Sequence, residues 1–308
     1  MRNQLKTLAL LGAMTALVVG IGGLIAPSYL YLFGLLALAM NAGAYYFSDR
    51  LVLRMHHAEE IRNAELSWLH TEVETLAQRA GIPKPRLFLI REDQPNAFAT
   101  GRNPEHGVVA VTQGLLDNLD RREIRGVLAH EIAHIKNRDI LIASVAAAMS
   151  SLLTYAAHAL TFSSFFGQGD DGDESPSAGT GLLVAIVAPV AAMLVQMGIS
   201  RSREFLADET AAELTQDPRA LASALMRLQG GTRTTEMEAS PATASLFIVN
   251  PFSGAEHVSR LFSTHPSTEA RVQRLLARET TSGDASWSKL RQARAGKPLF
   301  PRDTARST

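Results

Sequence analysis

The sequence of 308 residues balances 30 lysines and arginines against 30 aspartates and glutamates, so its overall charge gives no reason to expect a nucleic-acid partner. Hydrophobic residues make up 46% of the chain, and the mean hydropathy of +0.03 is too low for a polytopic transporter. The chain has no cysteine, which excludes disulfides, a thiol nucleophile, iron–sulfur clusters and cysteine zinc sites. Any chemistry therefore uses His, Asp, Glu, Ser or the backbone.

Four apolar segments are candidate membrane-spanning helices. Residues 8–26 and 28–47 carry no charged side chain, and each segment matches the ~20 residues that a helix needs to cross a bilayer. A secretory signal is the alternative for the first segment, because Arg2 and Lys6 precede it. The other two segments, 140–166 and 181–199, flank a Gly-, Ser- and Asp-rich stretch, and a pair of buried helices in a soluble bundle is the alternative for them. The pattern predicts two transmembrane hairpins.

Basic residues mark the same side of all four segments. They precede the first segment, follow the second, precede the third and follow the fourth, whereas the two short connections contain none. Because Lys and Arg near span ends stay in the cytoplasm, both termini and all polar segments are predicted to be cytoplasmic. These residues are Arg2, Lys6, Arg50, Arg54, Lys136, Arg138, Arg201 and Arg203.

The spans divide the chain into five parts. Residues 1–54 and 140–199 are the two hairpins, 55–139 and 200–281 are the two halves of a cytoplasmic domain, and 282–308 form a basic tail that we expect to be disordered. Within the polar parts, the apolar spacing predicts helices at 56–80, 202–214, 218–228 and 266–277, short strands at 86–91 and 108–112, and a mobile loop at 230–256. A capping-box pattern, Asp120 with Glu123, begins a further helix of roughly twenty residues.

That helix carries the motif His130-Glu131-Ile132-Ala133-His134. Residues four apart on a helix differ by about 40°, so both imidazoles point from one face and can hold one metal ion. Two imidazoles and a third protein ligand leave a position for water, whose pKa the ion lowers to about 7. Glu131 then takes the proton from that water and hands it to the departing amine. The alternative is two histidines that merely lie on a polar helix face.

The third ligand has to be sought without cysteine, and Glu204 is the candidate. Asp208 lies four residues later, so it can accept the other ring N–H of a ligating histidine and fix its orientation. Ordinary charge flanking a membrane span is the alternative, but it explains only the neighbouring arginines. If the third and fourth spans pair as an antiparallel hairpin, His134 and Glu204 emerge together at the cytoplasmic surface.

Together these segments resemble the HtpX family of membrane-bound zinc metalloproteases, which are related to the CAAX prenyl proteases. The resemblance covers the chain from the first span to about Leu276 and excludes the basic tail. The matching segments are residues 130–134, Ser-Arg-Ser-Arg-Glu-Phe-Leu-Ala-Asp at 200–208, Asn-Ala-Phe-Ala-Thr-Gly at 96–101, and Phe-Ser-Thr-His-Pro-Ser at 262–267.

The resemblance implies a mainly α membrane protein with four transmembrane helices and a cytoplasmic zincin-like (gluzincin) metalloprotease domain that contains a small β-sheet. It implies one Zn²⁺ per chain bound by His130, His134 and Glu204, with catalysis by Glu131. It further implies a multi-pass protein of the inner (plasma) membrane that serves stress response and protein quality control by cleaving misfolded or damaged membrane proteins.

Two further roles stay open. The resemblance suggests that His265 lies near the zinc, where its imidazole stabilises the developing oxyanion; a local cap at a helix start is the alternative. The segment Asn96, Ala97, Phe98, Ala99 and Thr100 is a candidate edge strand that pairs with an extended substrate, because backbone pairing tolerates many side chains. The alternative for this segment is a plain surface hairpin.

The predicted function is therefore a metal-dependent endopeptidase with misfolded membrane proteins or peptides as substrates, a lipid bilayer as its surroundings, and no nucleic-acid partner. A site-two-type intramembrane protease uses the same motif, but here Arg121, Arg125 and Lys136 surround it, which argues against burial in lipid. A catalytically silent zinc-binding scaffold or sensor is the second alternative. Glu131 favours catalysis over that alternative, because structural sites are normally closed by a fourth protein ligand. The same donor set also accommodates other divalent ions.

Overall fold

A computed structural model describes residues 2–25, 27–62, 64–166, 200–237, 239–240, 242–252 and 266–278. The predicted fourth span, His265 and the basic tail lie outside the described residues. The described helices are α1 (Arg2–Ile25), α2 (Leu30–Met55), α3 (Ser67–Ala80), α4 (Gln113–Asn118), α5 (Arg121–Lys136), α6 (Ile140–Phe166), α7 (Arg201–Thr215), α8 (Pro218–Thr234) and α9 (268–278), and the strands are β1 (Glu59–Glu60), β2 (Arg86–Ile90), β3 (Ala97–Thr100) and β4 (Val108–Thr112).

Helices α1 and α2 form an antiparallel apolar hairpin. Near their connection, Gly22 packs against the ring of Phe33 so closely that no Cβ would fit there. Farther along, the side-chain amide of Asn41 donates to the Leu11 carbonyl oxygen at 3.1 Å and to the Thr15 hydroxyl at 2.8 Å. Hydrogen bonds of this kind join helices where no water competes for the polar groups.

The outer surface of this hairpin is suited to a lipid environment. Among the described residues, one helix, Pro27–Met55, is long and apolar enough to cross a membrane, and the apolar helical stretches Leu5–Gly20 and Ile140–Thr154 are shorter. Large apolar side chains on α2, including Tyr31 and Leu38, are exposed. Helix α6 packs against α1 and α2 through the first half of its length. The described residues therefore contain a three-helix apolar bundle, and the four-span topology stays a prediction.

A small sheet begins the polar domain, as the sequence predicts, and the structure shows it to be mixed and four-stranded. Its strand order is β1-β2-β4-β3, with β2 and β4 parallel and the outer pairs antiparallel. Strand β3 lies at one edge. Strands β3 and β4 are fully buried, and β2 buries Leu87 and Ile90, which places the sheet against the helices because a parallel pair needs both of its faces covered.

Helix α5 lies at the centre of the main core, in contact with α3, α7, α8 and the sheet. Its start is the predicted capping box: Asp120 Oδ1 accepts from the Glu123 backbone at 2.9 Å, and Glu123 Oε2 accepts from the Asp120 backbone at 3.0 Å. Gly126 lets α8 approach closely, because a Cβ at this position would lie 2.8 Å from the Leu221 backbone nitrogen. The helix that bears the His-Glu-x-x-His motif is thus held on all sides.

Two segments differ from the prediction. The helix predicted at 56–80 begins only at Ser67, because β1 pairs with β2 and the backbone of Ile61 donates to the Leu87 carbonyl oxygen at 2.9 Å. The segment predicted as a mobile loop at 230–256 instead continues α8 to Thr234 and then buries Phe247 and Ile248 in the core. The pairing of a two-residue strand and the burial of an irregular segment leave no local periodicity in the sequence, so the apolar spacing could not predict either of them.

Candidate metal centre

His130 and His134 lie on consecutive turns of α5 with their Nε2 atoms 3.0 Å apart. The helix is buried around them, and His130 itself is only 1% exposed. Helix α7 brings Glu204 to the same point: one carboxylate oxygen lies 3.7 Å from His130 Nε2 and the other lies 3.5 Å from His134 Nε2. The three residues predicted as metal ligands therefore form one cluster in which each offers a ligand atom within 4.8 Å of the others.

The spacing of this cluster fits a small divalent ion. Ligand atoms about 2.0–2.1 Å from a tetrahedral metal are separated from one another by about 3.3 Å. The three distances of 3.0, 3.5 and 3.7 Å bracket that value. Two imidazoles and one carboxylate are also the donors of the catalytic zinc sites in which one coordination position stays open.

Carboxylates hold the second nitrogen of each histidine ring. His130 Nδ1 lies 2.9 Å from Asp208 Oδ1, and His134 Nδ1 lies 3.2 Å from both oxygens of Asp139. Each carboxylate favours a proton on Nδ1 and so leaves Nε2 free to bind a metal. The partner of His130 is the residue that the sequence suggested for this role. Asp139 was missed, although its position directly after the motif helix was the available signal.

Arg271 of α9 is a second residue that the sequence reasoning missed. Its guanidinium is buried, and it donates to both oxygens of Asp208 at 2.7 and 2.8 Å and to the Ile248 carbonyl oxygen at 2.8 Å. It also lies 3.8 Å from Glu204. This bidentate contact fixes the Asp208 carboxylate, which in turn orients the His130 ring. The sequence contains no spacing that links Arg271 to the motif, since the contact depends on how α9 packs.

The electrostatics differ between the two histidines, and the carboxylates around His134 favour a cation there. Burial lowers the pKa of His130 to about 4, and the nearby Arg271 contributes to the shift. Burial also tends to lower the pKa of His134, but the carboxylates of Asp139, Glu204 and Glu131 outweigh it and raise the pKa to about 10. A proton therefore occupies His134 at neutral pH when no metal competes for it, and metal binding displaces that proton.

Glu131 lies beside the ligands rather than among them. Burial raises its pKa to about 8, and the charge of Glu204 contributes, whereas His134, Arg271 and a hydrogen bond from the Ala99 backbone oppose the shift. Its Oε1 atom is buried and has no hydrogen-bond partner within the described part of the chain. A cavity of about 40 Å³, lined by Glu131, His134, Glu204 and Ala99, adjoins it and has room for water. The group is placed to accept a proton from a water in that cavity.

The predicted substrate strand is buried along its whole length, from Asn96 to Thr100. Asn96, Ala97 and Phe98 are buried, and the Asn96 amide donates to the Val249 carbonyl oxygen at 2.9 Å. The outer edge of β3 is paired with its own chain, because Phe98 bridges to Phe247 and the Ile248 backbone donates to Ala97. Substrate pairing along β3 stays a prediction, and these contacts leave the Ala99 end of the strand nearest the site.

The site combines a His-Glu-x-x-His motif on one helix with a carboxylate from a second helix, and the Glu of the motif is buried beside the histidines. This combination defines the site of a metallopeptidase. Residues 63–279 match peptidase family M48. The protease HtpX homologue of Sulfurihydrogenibium sp. (strain YO3AOP1) is 47% identical over 294 residues, which are 92% of this chain and 99% of the relative. That of Syntrophobacter fumaroxidans is 48% identical over 280 residues, which are 89% and 99% of the two chains.

Among solved structures, the crystal structure of S. mikatae Ste24p covers 86% of this chain and 65% of that one, with 20% identity and a TM-score of 0.46. The sequence matches decide the classification, and the chain belongs to peptidase family M48 and, within it, to the HtpX proteases. The resemblance drawn from the motifs is confirmed, and so is the prediction of a metalloprotease.

Proposed function

We propose that this protein is an integral-membrane, zinc-dependent endopeptidase that cleaves misfolded or damaged membrane proteins at the cytoplasmic surface. The observation that carries the proposal is the triangle of His130 Nε2, His134 Nε2 and Glu204, with Glu131 buried beside it. HtpX proteases are its relatives across nearly the whole chain, and their name states the activity.

The chain's own groups divide the work of hydrolysis. A divalent ion, when bound, supplies Lewis acidity towards water and the scissile carbonyl. Its positive charge lowers the pKa of Glu131 and so counteracts the rise that burial causes. Glu131 removes the proton of the attacking water at its carboxylate and delivers it to the departing amine. The Ala99 backbone holds Glu131 in place, and Asp139 and Asp208 orient the two histidines.

Substrate access requires movement near the site. The cavity of about 40 Å³ admits water but is far smaller than a peptide segment, and Ser245 and Leu246 form part of its lining. We propose that an extended substrate enters where these residues now lie and pairs with the Ala99 end of β3. For His265, we retain stabilisation of the oxyanion as the proposed role, which predicts slower turnover in His265→Ala.

The membrane topology belongs to the same proposal. The exposed apolar side chains of α2 and the packing of α6 against the hairpin support insertion of these helices in a bilayer. Basic residues at the ends of the segments support cytoplasmic termini and four spans in total. The His-Glu-x-x-His motif and the ends of the spans then lie together at the cytoplasmic face of the membrane, where damaged membrane proteins expose peptide bonds to water.

The test is zinc-dependent cleavage by the full chain. The protein is purified in detergent with a chelator, then titrated with Zn²⁺ while cleavage of an unfolded membrane-protein substrate is followed. Glu131→Gln is expected to retain zinc and to lose cleavage by about 10²- to 10⁴-fold, because it removes the general base but no ligand.

Glu105→Gln, on the exposed loop before β4, serves as the matched control and is expected to behave as the parent. Persistent cleavage by Glu131→Gln contradicts the mechanism. A parent that binds zinc but never cleaves supports the silent scaffold instead. Fragments of the enzyme itself are monitored at the same time, since the basic tail is a candidate self-cleavage site.

A further inference from the structure

A second cavity, of about 1100 Å³, lies beside the metal centre. Its lining comes from the start of α1, Tyr45 in the second half of α2, the β3–β4 and α5–α6 connections, the starts of α6 and α7, and Arg274 of α9. These are the places where the apolar bundle meets the polar domain. The cavity is therefore at the level at which a membrane surface would lie.

The charges that line this cavity are nearly all positive. Glu209 is the acidic residue of the lining, and it already pairs with Arg274 at 3.0 Å and with Arg278 at 3.3 Å. The guanidinium of Arg102 contacts the His106 ring nitrogen at 2.6 Å and lies over the Tyr46 ring. The basic residues of the lining are Lys6, Arg102, Arg138, Arg203 and Arg274.

The remainder of the lining is apolar and continues onto the outside of the bundle. Leu8, Leu11 and Leu141 line the cavity from α1 and α6. Leu8 is also 65% exposed. The exposed face of α1 continues from it towards the bilayer at Gly12, Ala13 and Ala16. A molecule with an anionic head in the cavity therefore has an apolar path along α1 for its tail.

We propose that this cavity binds the phosphate headgroup of an anionic phospholipid, with the acyl chains lying along the exposed face of α1. Basic pockets between transmembrane helices are typical sites for anionic headgroups, and a cavity of this size accommodates a headgroup with the first carbons of its chains. The apolar path favours a lipid over a soluble phosphate compound. The inference rests on the membrane insertion proposed above but not on catalysis.

The experiment compares two double variants of the full chain in a Glu131→Gln background, which removes self-cleavage. Lys6→Gln with Arg102→Gln removes two charges from the cavity lining. Lys84→Gln with Arg91→Gln removes the same residue types from exposed ion pairs outside the lining. Each protein is reconstituted in bilayers of phosphatidylcholine with 30% phosphatidylglycerol, released into detergent, and its retained lipids are counted by native mass spectrometry, followed by a phosphatidylglycerol titration.

The parent background is expected to retain phosphatidylglycerol in preference to phosphatidylcholine. The cavity variant is expected to lose affinity for it by about 30-fold, because each basic residue near a headgroup contributes about 1 kcal/mol and 1.4 kcal/mol is a factor of ten. The control variant is expected to match the background.

The proposal is overturned if the cavity variant retains as much phosphatidylglycerol as the background protein, or if the control variant loses as much as the cavity variant. Displacement of the lipid by millimolar inorganic phosphate overturns it as well, since a soluble anion would then be the preferred ligand. The measurement needs no proteolysis, so it is independent of the cleavage test: a parent that cleaves but retains no anionic lipid contradicts this inference alone.

Discussion

At the scale of single residues, two aspartates determine which nitrogen each histidine of the metal centre presents. Asp208 reaches His130 Nδ1 from α7, and Asp139 reaches His134 Nδ1 from the start of α6. Both are buried, so their charges are weakly screened. The two rings are held by different elements, and the metal centre therefore depends on how α5 ends as well as on how α7 packs.

Asp139→Asn is expected to weaken Zn²⁺ binding by about 10- to 100-fold, because the asparagine amide can still orient the His134 ring but lacks the negative charge of the aspartate. The measurement is competition against a chromophoric chelator in detergent, with the thermal midpoint of the metal-free protein as a check on folding. Asp117→Asn is the control, since Asp117 is exposed on α4 and accepts a hydrogen bond from Gln113 at 2.8 Å. Unchanged affinity in Asp139→Asn would refute the role.

Arg271 shows where inference from sequence ends at this scale. The spacing of His130, His134, Glu204 and Asp208 is local to two helices, so helical geometry alone predicts their faces. Arg271 joins the same cluster from α9, by a contact that no spacing encodes. A buried guanidinium is retained there because Asp208 and the Ile248 carbonyl oxygen satisfy its donors.

At the scale of elements, α5 behaves as a core helix that carries polar residues. Glu123, His130 and Glu131 are buried together with the apolar residues of the same helix. Burial of so many polar groups requires partners on several neighbouring elements, and Ser223 of α8, for example, donates to Glu123. The close approach of α8 at Gly126 is one of the contacts that allow this.

Gly126→Ala is expected to lower the thermal stability, because the added methyl would meet the Leu221 backbone at 2.8 to 3.0 Å and α8 would have to shift. Overpacking costs about 1–3 kcal/mol, against a gain of about 1 kcal/mol in helix propensity. Gly230→Ala is the matched control on α8, where nothing lies within 4 Å of the new Cβ, so it is expected to stabilise. Thermal unfolding of both variants decides the matter, and equal midpoints would contradict the packing argument.

Elements with a strong local signal were predicted well, and elements made by distant pairing were not. The capping box of α5 is present, and α3 ends at Ala80 as predicted, with Gly81 in a left-handed conformation after it. Strand β1 was missed because it has two residues and exists only through its pairing with β2. The segment around Phe247 was read as a loop because its burial depends on the bridge to Phe98.

At the scale of the whole molecule, an aromatic cluster joins the apolar hairpin to the protease domain. His56 ends α2, and its ring packs against Phe98 of the edge strand at 5.8 Å and against Phe247 at 5.1 Å between centroids. Its Nε2 lies 3.0 Å from the Thr243 hydroxyl, which in turn donates to the Ser240 carbonyl oxygen. Because that hydroxyl donates its one proton to Ser240, it accepts a hydrogen bond from His56 Nε2.

This junction is expected to weaken in acid. Burial lowers the pKa of His56 to about 4, against 6.5 for an exposed histidine, with a smaller contribution from His57. The unfolded chain therefore binds more protons between these values, and the stability contributed by neutral His56 is full above pH 6.5 and is lost as the pH falls towards 4. The loss amounts to about 3 kcal/mol at most.

His56→Phe keeps the ring contacts and removes the titration, so its thermal midpoint is expected to fall less than that of the parent between pH 7 and pH 4.5. Both proteins are measured in detergent with a chelator, so that metal loss in acid contributes to neither curve. His106→Phe is the control, because His106 is exposed on the loop before β4 and leaves the junction intact. Parallel curves for His56→Phe and the parent would show that His56 binds protons equally in the folded and unfolded states over this range, and would remove the hairpin junction as a source of acid sensitivity.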